Sequence, residues 1–332
     1  MLSIIIVNYK TPQLLADCLK SVFEQSSDIS FEVLVVDNAS GDHSRELINE
    51  LFPLIKWIQL DYNAGFARAN NAGIRSSSGD TMLLVNSDTI ILENALNDCY
   101  KVLSDSHYVA CGVQLLNRDG TPQISGNYFM TGGLNNLLPL PYLGPLIKKA
   151  GDIFKVRKPH IPDANEPVEV DWINGAFLMV KKSAIEKAGL MDEDFFLYAE
   201  EAEWCYRLGK VGKLVIYGQF KVIHLQGESS NAAFASTSEG YSNLYDKKGL
   251  QIMISNFVRI RKQFGTGWFL FQLIIYSINI PVFLIATVFR WLFSNKLKEE
   301  LILVKKYAHN VVVVWSYSNE ILMNRPYFYK IL

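Results

Sequence analysis

The chain has 332 residues, of which 49% are hydrophobic, so it can bury one large core or two modest ones. Its formal net charge of −1 gives no support for a nucleic-acid-binding protein. The four cysteines are scattered and lack metal-ligand spacing, which is typical of small buried hydrophobes in a reducing compartment. An apolar stretch begins at once, with no basic segment or cleavage site before it, so we predict no signal peptide and a cytoplasmic globular part.

Short apolar runs alternate with amphipathic segments over the first 115 residues. The predicted strands are 3–7, 31–36, 56–60, 81–85 and 109–115, and the predicted helices are 13–24, 44–52, a glycine-opened segment within 63–73, and 93–103. This alternation favours a doubly wound, mostly parallel α/β sheet. The chain has no GxGxxG or Walker-type glycine loop in this part, so the sequence does not favour a dinucleotide or P-loop site.

Polar side chains follow three of these predicted strands. They are Asn8 and Tyr9, Asp37 and Asn38, and Asn86, Ser87 and Asp88. Because the carboxyl ends of parallel strands meet at one edge of the sheet, where ligands bind, we predict a binding crevice there. Asp88 offers one hard oxygen ligand suited to Mg²⁺ or Mn²⁺, ions that complete their shells with water and substrate phosphates. The alternative interpretation is that Asp88 caps the helix 93–103 or shapes a turn.

The second half of the chain is less regular. Residues 126–167 lack periodicity and are rich in Gly, Pro and Asn, which predicts a long loop that is functional or mobile. Regular segments return at 168–180, at the short helix 182–188, at the helix 200–210, and at the strands 213–217 and 221–225. Glu200 and Glu201 open the helix 200–210, where the helix dipole stabilises acids, but acids beside aromatic residues also suit a general base for a sugar hydroxyl. His224 closes the last strand, and a lone histidine is more often structural than a ligand.

Several motifs within residues 1–230 together resemble the glycosyltransferase family 2 proteins of the GT-A fold, and within them the bacterial rhamnosyltransferase branch. The motifs are Ile5-Ile6-Val7-Asn8-Tyr9, Val35-Val36-Asp37-Asn38-Ala39-Ser40, Asn63-Ala64-Gly65-Phe66-Ala67-Arg68-Ala69-Asn70-Asn71, Asn86-Ser87-Asp88, Asn174-Gly175-Ala176, Phe195-Phe196-Leu197-Tyr198-Ala199-Glu200-Glu201 and His224. Each motif is common by itself, but their order and spacing are specific. The resemblance implies a GT-A fold and an inverting sugar transfer.

The resemblance also implies roles for individual residues. Donor-binding residues would be Asn8, Tyr9, Asp37, Asn38, Arg68, Asn70, Asn71, Asn86 and Ser87. Asp88 matches the last acid of the family's Asp-x-Asp motif and would hold Mg²⁺ or Mn²⁺ together with His224. Glu201 matches the catalytic base, and Glu200 stands beside it. Contacts with the acceptor are expected from Trp172, Asn174, Gly175 and Tyr198.

Two positions depart from the family pattern. Asn86 replaces the first acid of Asp-x-Asp, and the base position holds Glu rather than Asp. The implied reaction uses a nucleotide-diphosphate sugar, with dTDP-L-rhamnose favoured, and a lipid-linked or polysaccharide acceptor of a bacterial surface glycan. The alternative is a catalytically inactive nucleotide-sugar-binding or membrane-scaffold module of the same fold. Activity requires Asp37, Asp88 and Glu201 to converge with His224 around one cation-sized space, with Asp88 open to solvent.

Residues 266–289 carry no charge and are long enough to span a bilayer, which takes ~20 residues. Basic residues flank both ends, so neither orientation is favoured. Because polar residues and Pro281 interrupt the stretch, we expect a bent hairpin in or dipping into the cytoplasmic leaflet, with Trp268 and Trp291 at the interface. The alternative is a buried helix pair that packs on the catalytic domain or forms a homodimer.

The predicted organisation follows from these segments. A GT-A catalytic domain covers 1–245, with a nucleotide-sugar half at 1–115 and an acceptor half at 116–245. A C-terminal helical region, membrane-associating or dimerising, covers 246–332. The expected location is the cytoplasm, at the inner face of the cell membrane.

Overall fold

The computed structural model describes residues 1–25, 28–156, 159–161, 163–225, 243–291 and 297–331. The chain divides into two compact units. Unit 1 contains Met1–Tyr128, His160–Phe196 and Glu200–Ser230, and unit 2 contains Phe129–Pro159, Leu197–Ala199 and Asn231–Leu332. All of 116–245 was predicted to form the acceptor half of the catalytic domain, whereas the structure groups Phe129–Pro159 with the C-terminal helices.

Strands and helices alternate through unit 1. The strands are β1 Leu2–Asn8, β2 Phe31–Asp37, β3 Lys56–Gln59, β4 Thr81–Asn86, β5 Thr89–Ile91, β6 Ala110–Leu116, β7 Gly126–Asn127, β8 His160–Ile161, β9 Pro167–Val170, β10 Trp172–Ile173, β11 Phe177–Lys181 and β12 Leu214–His224. The helices of the whole chain are α1 Pro12–Glu24, α2 Ser44–Leu51, α3 Gly65–Ser76, α4 Ala95–Asp105, α5 Leu143–Ile153, α6 Lys182–Ala188, α7 Glu200–Gly209, α8 Lys247–Phe264, α9 Thr266–Trp291, α10 Leu297–Ser316 and α11 Ser318–Met323. Thr131–Leu137 forms a 3-10 helix.

The main sheet of unit 1 has the strand order β3-β2-β1-β4-β11-β6-β12-β5, with β9 paired to β12. Strands β1 to β4 are parallel where they pair, and β11 joins antiparallel between β4 and β6. The predicted doubly wound α/β fold is therefore confirmed, with antiparallel strands added in its second half. The register aligns Asn8 with Asp37 and Val7 with Asn86, which brings the polar ends of three strands to one edge.

Side chains of β1 alternate between the two faces of the sheet, as period-2 strand geometry requires. Ile4 and Ile6 pack with one core cluster that includes Leu15 and Leu19 of α1. Ile5 packs with the other cluster, which includes residues of α3 and the fully buried Trp204 of α7. Helices on both faces therefore bury the sheet, and the carboxyl edge is left for polar side chains.

Unit 2 consists of helices. The region predicted as the loop 126–167 instead contains the 3-10 helix and α5, as well as strands β7 and β8 of unit 1. Within unit 2, the Tyr276 hydroxyl of α9 donates to the carbonyl oxygen of Asn136 at 2.7 Å. The expected bent hairpin at 266–289 is wrong, because α9 is one continuous helix with Pro281 inside it. Within the described residues it is the one helix long and apolar enough to cross a membrane.

Candidate active site

Asp37 ends β2 and is surrounded by hydrogen-bond donors. Its Oδ1 accepts from Asn8 Nδ2 at 2.7 Å and from the Ser40 hydroxyl at 2.6 Å. Its Oδ2 accepts from the backbone N–H of Ser40 at 2.9 Å and from Gln59 Nε2 at 2.7 Å. Four donors therefore saturate this buried carboxylate. A nucleotide hydroxyl or base would have to displace Gln59 to reach it.

The same network continues across β1 to β4. The Thr11 hydroxyl donates to Asn8 Oδ1 at 3.1 Å and lies 3.1 Å from the Ser87 hydroxyl. Proline follows Thr11 at the first position of α1, but the Thr11 side chain does not cap that helix. It instead connects the polar ends of the first and fourth strands. Asn8, Asp37 and Ser87 thus belong to one buried network at the sheet edge.

Asp88 meets His224 because β5 pairs with the end of β12. Thr89 aligns with His224 in that antiparallel pair, and the Leu225 N–H donates to the Asp88 carbonyl oxygen at 2.9 Å. Asp88 Oδ1 lies 3.4 Å from His224 Nε2. The residue that caps α4 is Asn94, so the capping alternative for Asp88 is wrong.

Hydrogen bonds with Gln123 determine the tautomer of His224. Gln123 Nε2 donates to the His224 carbonyl oxygen at 2.6 Å and to Asn117 Oδ1 at 2.7 Å. Gln123 Oε1 therefore has to accept the proton on His224 Nδ1, 3.0 Å away. In the neutral imidazole the lone pair is then on Nε2, which faces Asp88 Oδ1 and the Asn86 amide nitrogen at 3.4 Å.

This geometry fits a divalent cation. Asp88 Oδ1 is buried and has no hydrogen-bond donor among the described residues. Two lone-pair atoms that face each other at 3.4 Å need a proton or a cation between them. Ligands at about 2.1 Å from a cation lie about 3 Å apart when adjacent, which is close to the observed separation. The described ranges hold no cluster of three or more His, Cys, Asp or Glu side chains, so water and substrate phosphates would complete the shell.

Asp88 and His224 are less exposed to solvent than expected. Asp88 is 2% exposed and His224 is 5% exposed, whereas the sequence analysis required Asp88 to be open to solvent. Asn86, which replaces an acid in the family pattern, is half-buried. The expectation that Asp88 is open to solvent is therefore wrong for this structure.

Glu201 is linked to this site through the turn before β11. The carbonyl oxygen of Ala176 accepts from the Asn86 N–H at 3.3 Å and from the Thr89 hydroxyl at 3.2 Å. A methyl group added at the neighbouring Gly175 would lie 3.8 Å from the Cβ atom of Glu201. The turn thus lies between the Asp88 strand end and the first turn of α7. Glu201 is half-buried there, and Glu200 is buried.

The beginning of α3 positions the segment before α7. The Phe66 N–H donates to the Phe196 carbonyl oxygen at 2.8 Å. Gly65 has φ of +75°, and a Cβ atom there would overlap Phe196. Glycine is therefore required for this close approach. Glu203, the third acid of α7, forms a two-pronged ion pair with Arg207, with the nearest atoms 2.7 Å apart, and is not available to a substrate.

Comparison with known proteins now identifies the domain. Residues 3–164 match the model of the family described as Glycosyl transferase family 2. Residues 3–164, just under half of the chain, thus match a family 2 glycosyltransferase domain. It is 30% identical over 211 residues to the low-salt glycan biosynthesis hexosyltransferase Agl10 of Haloferax volcanii, and the alignment covers 62% of this chain and 61% of that protein. It is 26% identical over 222 residues to the N-acetylglucosaminyl-diphospho-decaprenol L-rhamnosyltransferase of Mycobacterium tuberculosis, covering 61% of this chain and 69% of that protein.

A solved structure shares the fold of the glycosyltransferase domain. It is the mannosyltransferase PcManGT from Pyrobaculum calidifontis in complex with GDP-Man and Mn²⁺, with a TM-score of 0.51 and 13% identity. The match covers 98% of this chain and 87% of that one. The predicted GT-A fold is confirmed by this likeness, which at such low identity concerns the fold alone.

Three predicted donor-binding residues of the glycosyltransferase domain have other partners. Asn38 accepts from the backbone N–H of Ala64 at 2.7 Å, which ties the end of β2 to the start of α3. Asn71 donates to the Met191 carbonyl oxygen at 2.9 Å and accepts from the Met191 N–H at 3.0 Å. Asn70 donates to a carbonyl oxygen of its own helix. All three are buried, so these bonds support a structural role instead.

The remaining predicted donor-side residues are more accessible. Tyr9, Arg68 and Asn86 are half-buried. Arg68 Nε donates to the Glu193 carbonyl oxygen at 2.9 Å, and one terminal nitrogen donates to the Tyr62 hydroxyl at 3.2 Å. These three side chains are the accessible part of the predicted donor set in the glycosyltransferase domain.

The predicted acceptor-side residues fall in both units. In unit 1, the buried indole N–H of Trp172 has no acceptor among the described residues. Asn174 Oδ1 accepts from the Ala176 N–H at 3.0 Å, which shapes the turn beside Glu201. Tyr198 belongs to unit 2 and has φ of +72°. Ala199 follows with φ of +66°, and such strained non-glycine residues concentrate at functional sites.

Sequence reasoning missed Gln123, Ser40 and Gln59. Ser40 lies within a quoted motif, and its position three residues after Asp37 is a typical signal for a local side-chain bond. Gln59 ends β3, and the parallel register opposite Asp37 could have indicated it. Gln123 has no such signal, because it is 101 residues from His224 in the chain.

Proposed function

We propose that this chain transfers a sugar from a nucleotide-diphosphate donor to a hydroxyl group of a glycan acceptor, with inversion at the anomeric carbon. The observation that carries the proposal is the facing pair Asp88 and His224, linked by the turn 174–176 to Glu201. The family 2 domain and the hexosyltransferase relative support the same reaction class.

Each group has a proposed role in a single displacement. Glu201 accepts the proton of the acceptor hydroxyl. The oxygen of that hydroxyl bonds to the anomeric carbon while the bond from this carbon to the nucleoside diphosphate breaks. Asp88 and His224 Nε2 would hold Mg²⁺ or Mn²⁺. A bound divalent cation supplies Lewis-acid stabilisation of the negative charge on the leaving diphosphate, worth several kcal/mol. Gln123 holds the His224 ring in the orientation and tautomer that present Nε2.

The proposed donor is dTDP-L-rhamnose and the proposed acceptor is lipid-linked. The motif resemblance to the rhamnosyltransferase branch supports the sugar, and so does the name of the Mycobacterium relative, an L-rhamnosyltransferase. That name also describes an acceptor carried on diphospho-decaprenol. A lipid-linked acceptor would place the reaction at the inner face of the cell membrane.

The polarity of α9 supports a membrane contact. Its outward face is apolar and includes Phe271, Ile274, Ile278, Ile285 and Phe289. Its buried face carries the polar side chains Gln272, Tyr276, Asn279 and Thr287 beside the apolar Phe269, Leu273 and Phe283. A helix of a water-soluble protein has the opposite arrangement, with its apolar stripe toward the core. An apolar outer surface with polar groups turned inward is the arrangement of a helix in contact with lipid.

A second candidate is a module of the same fold that binds a nucleotide sugar or a membrane without catalysis. Three observations favour it. Asp88 is almost wholly buried, Asp37 is saturated by protein donors, and Asn86 stands where an acid is expected. Retention of Asp88, Glu201 and His224 together favours activity over this alternative.

The deciding experiment measures donor hydrolysis and transfer with a panel of nucleotide sugars. We expect the full-length chain in detergent to hydrolyse dTDP-L-rhamnose slowly, and EDTA to abolish this activity. Glu201→Gln should lower transfer by ~10²–10⁴-fold while donor binding is retained. Glu46→Gln is the matched control, because Glu46 is an exposed acid of α2 in the same unit.

Each result separates the candidates. Near wild-type transfer by Glu201→Gln would refute the assignment of Glu201 as the base. Full activity in EDTA would refute the proposed role of a divalent cation. Donor binding without any turnover across the panel would favour the non-catalytic module.

A further inference from the structure

The helix α5 of unit 2 is amphipathic and lies almost entirely on the surface. Its apolar residues Leu143, Leu146, Ile147 and Ile153 recur at helical spacing, and Phe154 follows directly. At 3.6 residues per turn they share about a third of the helix circumference. Leu146 is 64% exposed, Ile153 is 68% exposed and Phe154 is 80% exposed. Unit 2 therefore leaves an apolar helix face uncovered.

The opposite face of α5 is basic. Residues 143–156 contain Lys148, Lys149 and Lys155 but one acid, Asp152, and these side chains are exposed. The three lysines and the aspartate leave this segment with a net charge of +2. Apolar residues on one face and lysines on the other are the pattern of helices that lie in the headgroup region of a membrane.

Contacts within unit 2 place the start of α5 beside the end of α9. The ring of Tyr142, the residue before α5, lies 5.8 Å from the ring of Phe283. The Tyr142 hydroxyl accepts from Arg290 Nη1 at 3.3 Å. Arg290 and Trp291 end α9, and residues of these types mark the interface between lipid and water. The start of α5 therefore lies beside the C-terminal part of α9.

We propose that α5 is an interfacial helix that lies on an anionic phospholipid surface. Its apolar side, with Leu146, Ile153 and Phe154, enters the headgroup boundary, and Lys148 and Lys149 contact lipid phosphates. This proposal rests on the membrane contact proposed for α9 and adds a second contact with a preference for lipid charge. The positive charge selects an anionic bilayer over a second copy of the chain, whose corresponding helix would carry the same charge.

The experiment uses fluorescent labels on full-length protein reconstituted with vesicles. The four native cysteines are all buried, so an introduced surface cysteine can be labelled selectively. An environment-sensitive fluorophore is attached at Phe154→Cys on α5, at Ile278→Cys on α9, or at Leu54→Cys. Leu54 is the matched control, because it is 89% exposed and belongs to unit 1. Vesicles are phosphatidylcholine with or without phosphatidylglycerol.

We expect the label at position 154 to shift to shorter wavelengths on vesicles that contain phosphatidylglycerol, and the label at position 54 to stay unchanged. Lys148→Gln with Lys149→Gln should weaken the position-154 response, since each lysine near an anionic surface contributes about fivefold in affinity. Lys101→Gln, an exposed lysine of α4 in unit 1, is the charge control.

Three outcomes would overturn the proposal. One is a fluorescence shift at position 278 with none at position 154, which would support lipid contact by α9 and refute lipid contact by α5. Another is an equal response at 154 on neutral and anionic vesicles. The third is a shift at 154 that appears without lipid and grows with protein concentration, which would assign this face to a second copy of the chain. Donor turnover is measured separately, so a failure of the glycosyl-transfer proposal is distinguishable from each outcome.

Discussion

Gly65→Ala should destabilise unit 1 and shift the backbone at Phe196, before α7. The new methyl group would overlap the Phe196 carbonyl oxygen and lie 2.8 Å from the carbonyl carbon. For a residue with a Cβ atom, the left-handed backbone at φ of +75° lowers the stability by about 1–2 kcal/mol. Separating Phe66 from Phe196 breaks a 2.8 Å hydrogen bond, at a cost of about 1–3 kcal/mol. The expected loss of stability is therefore roughly 2–5 kcal/mol.

Thermal unfolding followed by near-UV circular dichroism checks this expectation. A loss of that size lowers the Tm by about 4–20 °C in a domain of this length. Gly175→Ala is the matched control, because its methyl group would lie 3.5 Å from the Phe66 ring in ordinary contact. This control should keep the wild-type Tm but lower transfer, since the methyl group also lies beside Glu201. A Tm of Gly65→Ala within about 2 °C of wild type would refute the reasoning.

Three further predictions concern other parts of unit 1. Gln123→Leu removes the two hydrogen bonds between Gln123 and His224 and should raise the Mn²⁺ concentration for half-maximal donor turnover about 10–100-fold; an unchanged Mn²⁺ requirement would contradict this role. Burial raises the pKa of Glu193, but hydrogen bonds, including one from Arg75, outweigh it and lower the pKa. The stabilisation by Glu193 is thus present above its unfolded pKa of about 4.3 and lost as pH falls through the lower folded value, so Glu193→Gln should flatten the acid limb of a Tm-against-pH curve. Burial also raises the pKa of Cys205 to about 12, so Ellman's reagent should react with this thiol only on unfolding; fast reaction of the folded chain would speak against its burial.

Much of the structure of residues 1–115 could be read from the sequence because its signals are local. Period-2 apolar runs and proline at the start of α1 are properties of neighbouring residues. Parallel strands place their carboxyl ends at one edge, so the closeness of Asn8, Asp37 and Asn86 follows from strand order alone. The family motifs then identified the GT-A fold, which the comparisons confirm.

The error at 126–167 has a physical cause. Glycines and prolines suggested an irregular loop, and Gly132 and Gly133 do adopt positive φ there. Helical structure nonetheless forms around them, because Gln272 and Tyr276 of α9 donate to carbonyl oxygens of the 3-10 helix. Tertiary hydrogen bonds therefore overrode local propensity. The helix α9 continues through Pro281, where a bend was expected.

The sequence by itself determined the alternation of strands and helices, the polar strand ends and the acids that open α7, because each depends on residues near one another in the chain. The tertiary structure alone decided which polar groups are available. In the folded chain, protein donors occupy the Asp37 carboxylate, and Asn38 and Asn71 form hydrogen bonds with the backbone. Asp88 is buried, and the hydrogen bond between Gln123 and His224 Nδ1 directs His224 Nε2 toward Asp88. Those outcomes depend on hydrogen bonds between residues as far as 120 positions apart, and only the folded chain brings such groups into contact.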